Sequence, residues 1–144
     1  MKKINGPDIA AFLLIVLWVY ASVSKLMDYT NFRIQLGKSP LLVHLSGPVA
    51  LLVPVSELLI AAALIFDRFR LIGFYASFAL LIIFTTYLVT VLNYGYVPCS
   101  CGGILSALSW NTHIVFNLAY AMVAVCGILL QRNTSGIVAA ESYK

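Results

Sequence analysis

Two cysteines, Cys99 and Cys101, are separated by a single residue and lie between two long apolar runs. Residues 71–131 contain no Asp, Glu, Lys or Arg, so His113 is the only side chain there, besides thiols and tyrosines, that exchanges a proton near neutral pH. A disulfide between residues so close in sequence is strained, and strained disulfides are readily exchanged. The spacing therefore favours thiol–disulfide exchange at Cys99 and Cys101.

Two other interpretations fit the same thiols. Thiolates bind soft metal ions such as copper(I), and zinc would need further ligands, for which His113 and His44 are the nearest candidates. The thiols could also be unreactive, in a non-enzymatic subunit of an envelope assembly. From the residues alone, an oxidoreductase, a metal-handling protein and an assembly subunit all stay open, and we assign no residue as a metal ligand.

His113 stands in the first turn of a predicted helix, twelve residues after Cys101. The positive end of the helix dipole disfavours a protonated imidazole, so His113 is a candidate to accept a proton from an attacking thiol. Asn117 follows four residues later on the same helix face and could orient the ring. A polar pair at the start of a membrane helix is also common at the lipid interface.

A polar stripe runs along the preceding apolar segment toward the cysteines. Thr86, Thr90 and Asn93 fall at positions i, i+4 and i+7 of a helix. Hydroxyls in membrane helices most often bond to their own backbone or hold helices together. Together with Asn117, these residues are our candidates for a pocket that takes a polar head group or a quinone ring.

Glu57 is the only acidic residue inside an apolar run. A charge within the bilayer costs a few kcal/mol, so Glu57 should face other helices and have a partner. Lys25, near the end of the first run, can reach inward along its aliphatic chain. We expect an ion pair between Lys25 and Glu57, with either a structural or a functional role.

The composition indicates an integral membrane protein. The chain of 144 residues is 62% hydrophobic and 10% charged, and its mean hydropathy is +0.98. Its apolar runs cover about residues 9–27, 48–66, 71–92 and 112–131, each close to the length that crosses a bilayer. We therefore predict an all-α, polytopic membrane protein of a single domain, a four-helix transmembrane bundle in the lipid bilayer. The net charge of +4 is spread over flanks and short loops, which argues against nucleic acid as a partner.

The connection between the first two spans predicts a short interfacial helix. Phe32 and Leu36 recur at helical spacing, and Gly37 followed by Ser39 and Pro40 would end the helix. The third cysteine, Cys126, lies fourteen residues beyond Thr112, roughly 20 Å deeper along the fourth span. It is out of reach of the other two, and we expect a small buried apolar residue there.

The basic residues set the orientation. Six of them lie on the side of both termini and the short loop after the second span, and three lie on the other side, while the segment with the paired cysteines has none. The positive-inside rule therefore places both termini in the cytoplasm. In a bacterial inner membrane the cysteine segment then faces the periplasm, where disulfides persist.

The chain resembles the MauE branch of the DoxX-like four-helix membrane proteins from about residue 9 to 130. The resemblance rests on residues 21–26 (ASVSKL), 32–42 (FRIQLGKSPLL), 54–57 (PVSE), 98–103 (PCSCGG), 110–113 (WNTH), and Phe116 with Asn117. At Ser100 and Gly102 the chain differs from residues common in that branch. The branch is named for an accessory protein of methylamine dehydrogenase maturation.

The resemblance implies a thiol redox role facing the periplasm, in which Cys99 and Cys101 match the Cys-x-Cys motif of the family. It also implies a thioredoxin-fold partner that acts on disulfides of an exported subunit. A quinone held among the helices is the other acceptor that we consider. The membrane-complex subunits of an envelope assembly would be the partners if the cysteines were only structural.

Overall fold

The computed structural model describes residues 5–39, 41–95 and 109–141, with side chains up to residue 133. This part of the chain is helical and contains no β-strand. Its helices are α1 (Gly6–Met27), α2 (Tyr29–Lys38), α3 (Ser46–Ile65), α4 (Arg70–Asn93) and α5 (Trp110–Glu141).

Four of the helices are long and apolar enough to cross a membrane, namely α1, α3, α4 and the Trp110–Asn133 part of α5. Large apolar side chains point away from the bundle on each of them, for example Phe12, Leu52, Ile83 and Met122, which are all more than 60% exposed. A soluble protein rarely presents so much apolar surface, whereas lipid covers it without cost. The predicted all-α membrane bundle with four spans is confirmed.

The predicted short helix between the first two spans is also present, as α2. It buries Phe32 and Leu36 against Ala50 of α3, whereas Ile34 on its other side is 52% exposed. The helix ends where the Ser39 backbone N–H donates to the Leu36 carbonyl, over 3.1 Å. One apolar face is therefore enough to fasten α2 to the bundle.

The core between the spans is packed tightly around Phe74 of α4, which is completely buried. Gly127 of α5 lies against its ring, and a Cβ atom at this position would overlap the ring. The small residue therefore lets α4 and α5 approach each other closely, as small residues do in membrane helix pairs.

Two polar contacts cross the core from α1. The Trp18 indole Nε1–H donates to Ser77 Oγ of α4 over 2.9 Å, and Ser22 Oγ donates to the Pro54 carbonyl of α3 over 2.9 Å. Within a bilayer no water is available as a hydrogen-bond partner for a buried polar group, so such contacts fix the rotation of α1 about its axis relative to its neighbours.

Charged groups gather at the end of the bundle where α1 begins. The Asn5 backbone N–H donates to Asp8 Oδ2 over 3.0 Å, which caps α1. Arg70, at the start of α4, pairs with Asp8 over 2.8 Å and also with Asp67. This network ties the first and third spans together at the end that holds the N-terminus.

Two features differ from the sequence-based expectations. The α5 helix continues to Glu141, beyond the apolar run near residue 131, because polar residues end a membrane span without ending the backbone hydrogen bonds of a helix. The expectation of a buried Cys126 was wrong, since this thiol is exposed. Its neighbour Gly127 occupies the packed face of α5, so Cys126 lies on the outer face of the helix. A small apolar side chain is also compatible with contact to lipid there.

Candidate functional site

The paired cysteines, Cys99 and Cys101, lie outside the described residues, so the structure defines only the helices on either side of them. Helix α4 ends at Asn93, and Gly95 follows with a φ of 71°, a left-handed conformation that glycine adopts readily. The chain is described again from Ser109, one residue before α5 begins at Trp110. The cysteine segment therefore joins the end of α4 to the start of α5.

An interior cavity of about 230 Å³ lies in the half of the bundle next to these helix ends. Its walls come from all five helices and are mostly apolar, with several aromatic rings, among them Trp18, Phe84 and Phe116. Charged and polar side chains interrupt this lining, among them Lys25, Glu57, His113 and Asn117. An apolar chamber with a few converging polar groups is the usual form of a small-molecule site.

The charged groups of the first two spans meet at this cavity. Lys25 Nζ lies 2.7 Å from Glu57 Oε1, and both side chains are about 95% buried. Lys25 Nζ also donates to the Ala21 carbonyl, over 3.3 Å. The attraction between the two charges is strong in this dry environment, and it offsets much of the cost of removing them from water.

His113 and Asn117 reach the same cavity from the first turns of α5. His113 is only 3% exposed, and its ring lies 6.5 Å from the Trp110 ring in a stacked arrangement and 6.2 Å from the Phe84 ring. Asn117 stands one turn later and is 5% exposed. The structure therefore brings Lys25, Glu57, His113 and Asn117 to one chamber, from three different helices.

Two buried polar atoms at this cavity have no hydrogen-bond partner among the described residues. They are Glu57 Oε2, an acceptor, and Asn117 Nδ2, a donor. Leaving such a group unpaired costs about 1–3 kcal/mol. Both atoms belong to residues that line the same apolar chamber, so a molecule inside it could satisfy both.

The stripe on α4 is arranged differently. Thr86 and Asn93 are exposed and Thr90 is half-buried, and none of the three lines the cavity. The Thr86 hydroxyl donates to the Ile82 carbonyl and the Thr90 hydroxyl to the Thr86 carbonyl, each over 2.8 Å. Both threonines therefore bond to their own helix, and of the four predicted pocket residues Asn117 is the one at the cavity.

The two histidines occupy different environments. His44 is exposed in the turn before α3, whereas His113 is buried between helices. Among the described residues there is no group of three or more His, Cys, Asp or Glu side chains placed to hold one metal ion.

Sequence reasoning named the polar residues of the cavity but missed its aromatic walls. Trp18 and Phe84 belong to apolar runs in which most positions look alike. Trp18 lies seven residues before Lys25 on the same face of α1, so the predicted pairing of Lys25 with Glu57 was a signal in the sequence that could have turned Trp18 inward as well. The buried indole N–H then needs a partner, which Ser77 supplies.

Comparison with known protein families gives one assignment. Residues 6–130 match the sequence model of the family described as methylamine utilisation protein MauE. This range includes every residue that lines the cavity and the segment with Cys99 and Cys101. Neither the curated proteins nor the solved structures gave a match. The chain therefore belongs to the MauE family of methylamine-utilisation accessory membrane proteins.

Proposed function

We propose that the protein is a thiol–disulfide redox protein of the bacterial inner membrane, in which Cys99 and Cys101 exchange with a thioredoxin-fold partner on the periplasmic side. The observation that carries this proposal is the pair of cysteines, one residue apart, on an uncharged connection between two membrane-spanning helices. A connection of this kind leaves and re-enters the bundle at one end, and the proposal requires that a second protein reaches the thiols there. Membership of the MauE family supports an accessory role.

The orientation belongs to the same proposal. The excess of Lys and Arg near both termini and the loop after α3 supports a cytoplasmic location for that side, with the connection from α4 to α5 on the periplasmic side. Thiols on that side meet an oxidising compartment, in which a disulfide persists until a partner exchanges with it.

The exchange has two steps. The thiolate of one cysteine attacks a disulfide of the partner, which forms a mixed disulfide and releases one partner thiolate. The second cysteine then attacks the mixed disulfide, which forms the bond between Cys99 and Cys101 and releases the second partner thiol. Two electrons pass to the partner in this direction, and the two protons lost by the cysteine thiols balance those gained by the partner thiolates. The exchange is reversible: a reduced partner attacks the bond between Cys99 and Cys101 through the same mixed disulfide, and two electrons then pass from the partner to the pair.

We assign His113 as the group that accepts the proton from the attacking thiol. It lies in the first turn of α5, directly after the cysteine segment, and is the only imidazole between residues 71 and 131. A positioned general base of this kind typically contributes about 10²-fold or more to the rate. Burial against the Trp110 and Phe84 rings gives the imidazole a fixed position.

Trapping of the mixed disulfide tests the proposal. In a Cys126→Ala background, Cys99→Ser or Cys101→Ser removes the resolving thiol, so one of the two variants should accumulate a covalent adduct with a thioredoxin-fold protein. The adduct is detected by non-reducing electrophoresis, disappears with reductant, and is identified by mass spectrometry.

The matched control retains Cys126 and carries Cys99→Ser together with Cys101→Ser. It should form no adduct, because Cys126 lies on the outer face of α5, within the span. If neither single variant traps a partner, or if the control traps the same one, thiol exchange at the pair is excluded.

A further inference from the structure

We infer that the interior cavity binds the ring of a membrane quinone, in either its oxidised or its reduced form. The role of the bound quinone rests on the proposed function, because a quinone is the class of molecule that would exchange electrons with the cysteines. The binding itself depends only on described residues of the helices.

The cavity has the size of a substituted single ring. A cavity of roughly 150 Å³ with apolar walls binds benzene, whereas this one measures about 230 Å³. Aromatic side chains from four of the five helices form part of its walls, including Trp18, Phe84 and Phe116. Planar faces of this kind favour a flat ligand, through offset or edge-to-face contacts between rings.

The unpaired polar atoms suit a ligand that carries oxygen. Asn117 Nδ2 requires an acceptor, and a quinone carbonyl is one. Glu57 Oε2 requires a donor, and a quinol hydroxyl is one. Lys25 Nζ donates to only two acceptors among the described residues, so its third proton can also meet a carbonyl. Each redox form of a quinone therefore finds a partner, whereas a hydrocarbon chain would leave these atoms unsatisfied.

The lining of the cavity includes a residue at the outer surface of the bundle. Ile83 belongs to its lining and is at the same time 64% exposed on α4. In a membrane this face of α4 meets lipid, so an apolar molecule can enter from the bilayer and leave its tail there. A water-soluble ligand would need a route from the aqueous phase instead.

The electron balance of the implied step is complete. A quinone that oxidises the two cysteine thiols breaks two S–H bonds and forms one S–S bond and two O–H bonds. Two electrons and two protons move from the dithiol to the quinone, and the reverse exchange with a reduced thioredoxin-fold partner regenerates the dithiol. His113, at the cavity and one turn into α5, could carry a proton between the two sites.

Quenching of tryptophan fluorescence tests the binding. Trp18 lines the cavity, and the chain has two tryptophans, so the Trp110→Phe variant leaves Trp18 as the only reporter. The protein also carries Cys99→Ser and Cys101→Ser, which separates binding from redox chemistry. In detergent, a benzoquinone with a decyl chain should quench Trp18 along a saturating curve, and the corresponding quinol should compete for the site.

Two variants should weaken this binding, and one should not. Asn117→Leu removes the donor and should raise the dissociation constant about tenfold, the expected effect of one lost hydrogen bond. Val53→Phe, which fills part of the cavity, should abolish saturation. Thr86→Val is the matched control, since its hydroxyl bonds to its own helix outside the cavity, and it should bind like the parent.

Three results would overturn the inference: quenching that rises linearly in all variants, which indicates partition into detergent; equal competition by a decyl chain without a ring, which indicates a lipid tail; or unchanged affinity in both Asn117→Leu and Val53→Phe. The two proposals fail separately. Saturable binding without a trapped mixed disulfide would exclude only the exchange with a thioredoxin-fold protein. A trapped mixed disulfide without saturable binding would exclude only the binding of a quinone.

Discussion

At the scale of single residues, the buried ion pair between Lys25 and Glu57 is the most demanding feature of the molecule. Both partners are charged groups inside membrane spans, and each is acceptable there only because the other is present. The pair was predictable from the sequence, since Glu57 is the only acidic residue inside an apolar run and Lys25 is the nearest basic residue that could reach it. Its position at a cavity shared with His113 was not, because that depends on how α5 is rotated against α1 and α3.

Removal of one partner of the ion pair should lower the free energy of unfolding far more than removal of both. Lys25→Met leaves Glu57 buried without its cation, and we expect a loss of about 3–5 kcal/mol in the free energy of unfolding. The double variant Lys25→Met, Glu57→Leu should regain most of that stability, because no uncompensated charge remains. Thermal or denaturant unfolding in detergent measures both. A Lys25→Met protein as stable as the parent would show that the pair is not formed in the membrane.

At the scale of helices, apolar runs were sufficient to predict the four spans, whereas the faces that pack together were not. Every span is apolar around most of its circumference, so hydrophobic periodicity does not distinguish core from lipid. Cys126 illustrates this. The sequence favoured a buried thiol, but Gly127 is the residue that packs against Phe74. The packed face of the short helix α2 was easier to predict, because α2 carries enough polar residues for Phe32 and Leu36 to form a distinct apolar face.

The contact between Gly127 and Phe74 gives a prediction at this scale. Gly127→Ala places a methyl group against a ring that is fully buried and has no room to turn, so α4 and α5 must separate. We expect a cost of about 1–3 kcal/mol, typical of an overpacked core. The adjacent change Cys126→Ala, on the exposed face, should stay within about 0.5 kcal/mol.

Unfolding of both variants in the same detergent compares them directly. Similar stability of Gly127→Ala and Cys126→Ala would mean that the two helices do not approach each other at this point.

At the scale of the whole molecule, the two ends of the bundle have different characters. One end holds the pairs that Arg70 makes with Asp8 and Asp67, which tie the helices together. The other half encloses the cavity, and its helix ends lead into the segment with the paired cysteines. The sequence predicted the difference in charge alone, because six of the nine basic residues lie on the side of both termini and the segment with the paired cysteines carries none. The cavity itself emerges only when five helices are packed together.

The most direct test of the account is a redox titration of the cysteine pair in a Cys126→Ala protein. The protein is equilibrated in glutathione buffers of set potential, free thiols are alkylated, and the modified fraction is measured by mass spectrometry. We expect one reversible two-electron transition, in which the ratio of reduced to oxidised protein changes tenfold for about 30 mV. Its midpoint potential should lie between roughly −120 and −270 mV, the range of proteins that exchange disulfides. Thiols that stay reduced at every potential, or a disulfide that resists reduction below about −300 mV, would contradict it.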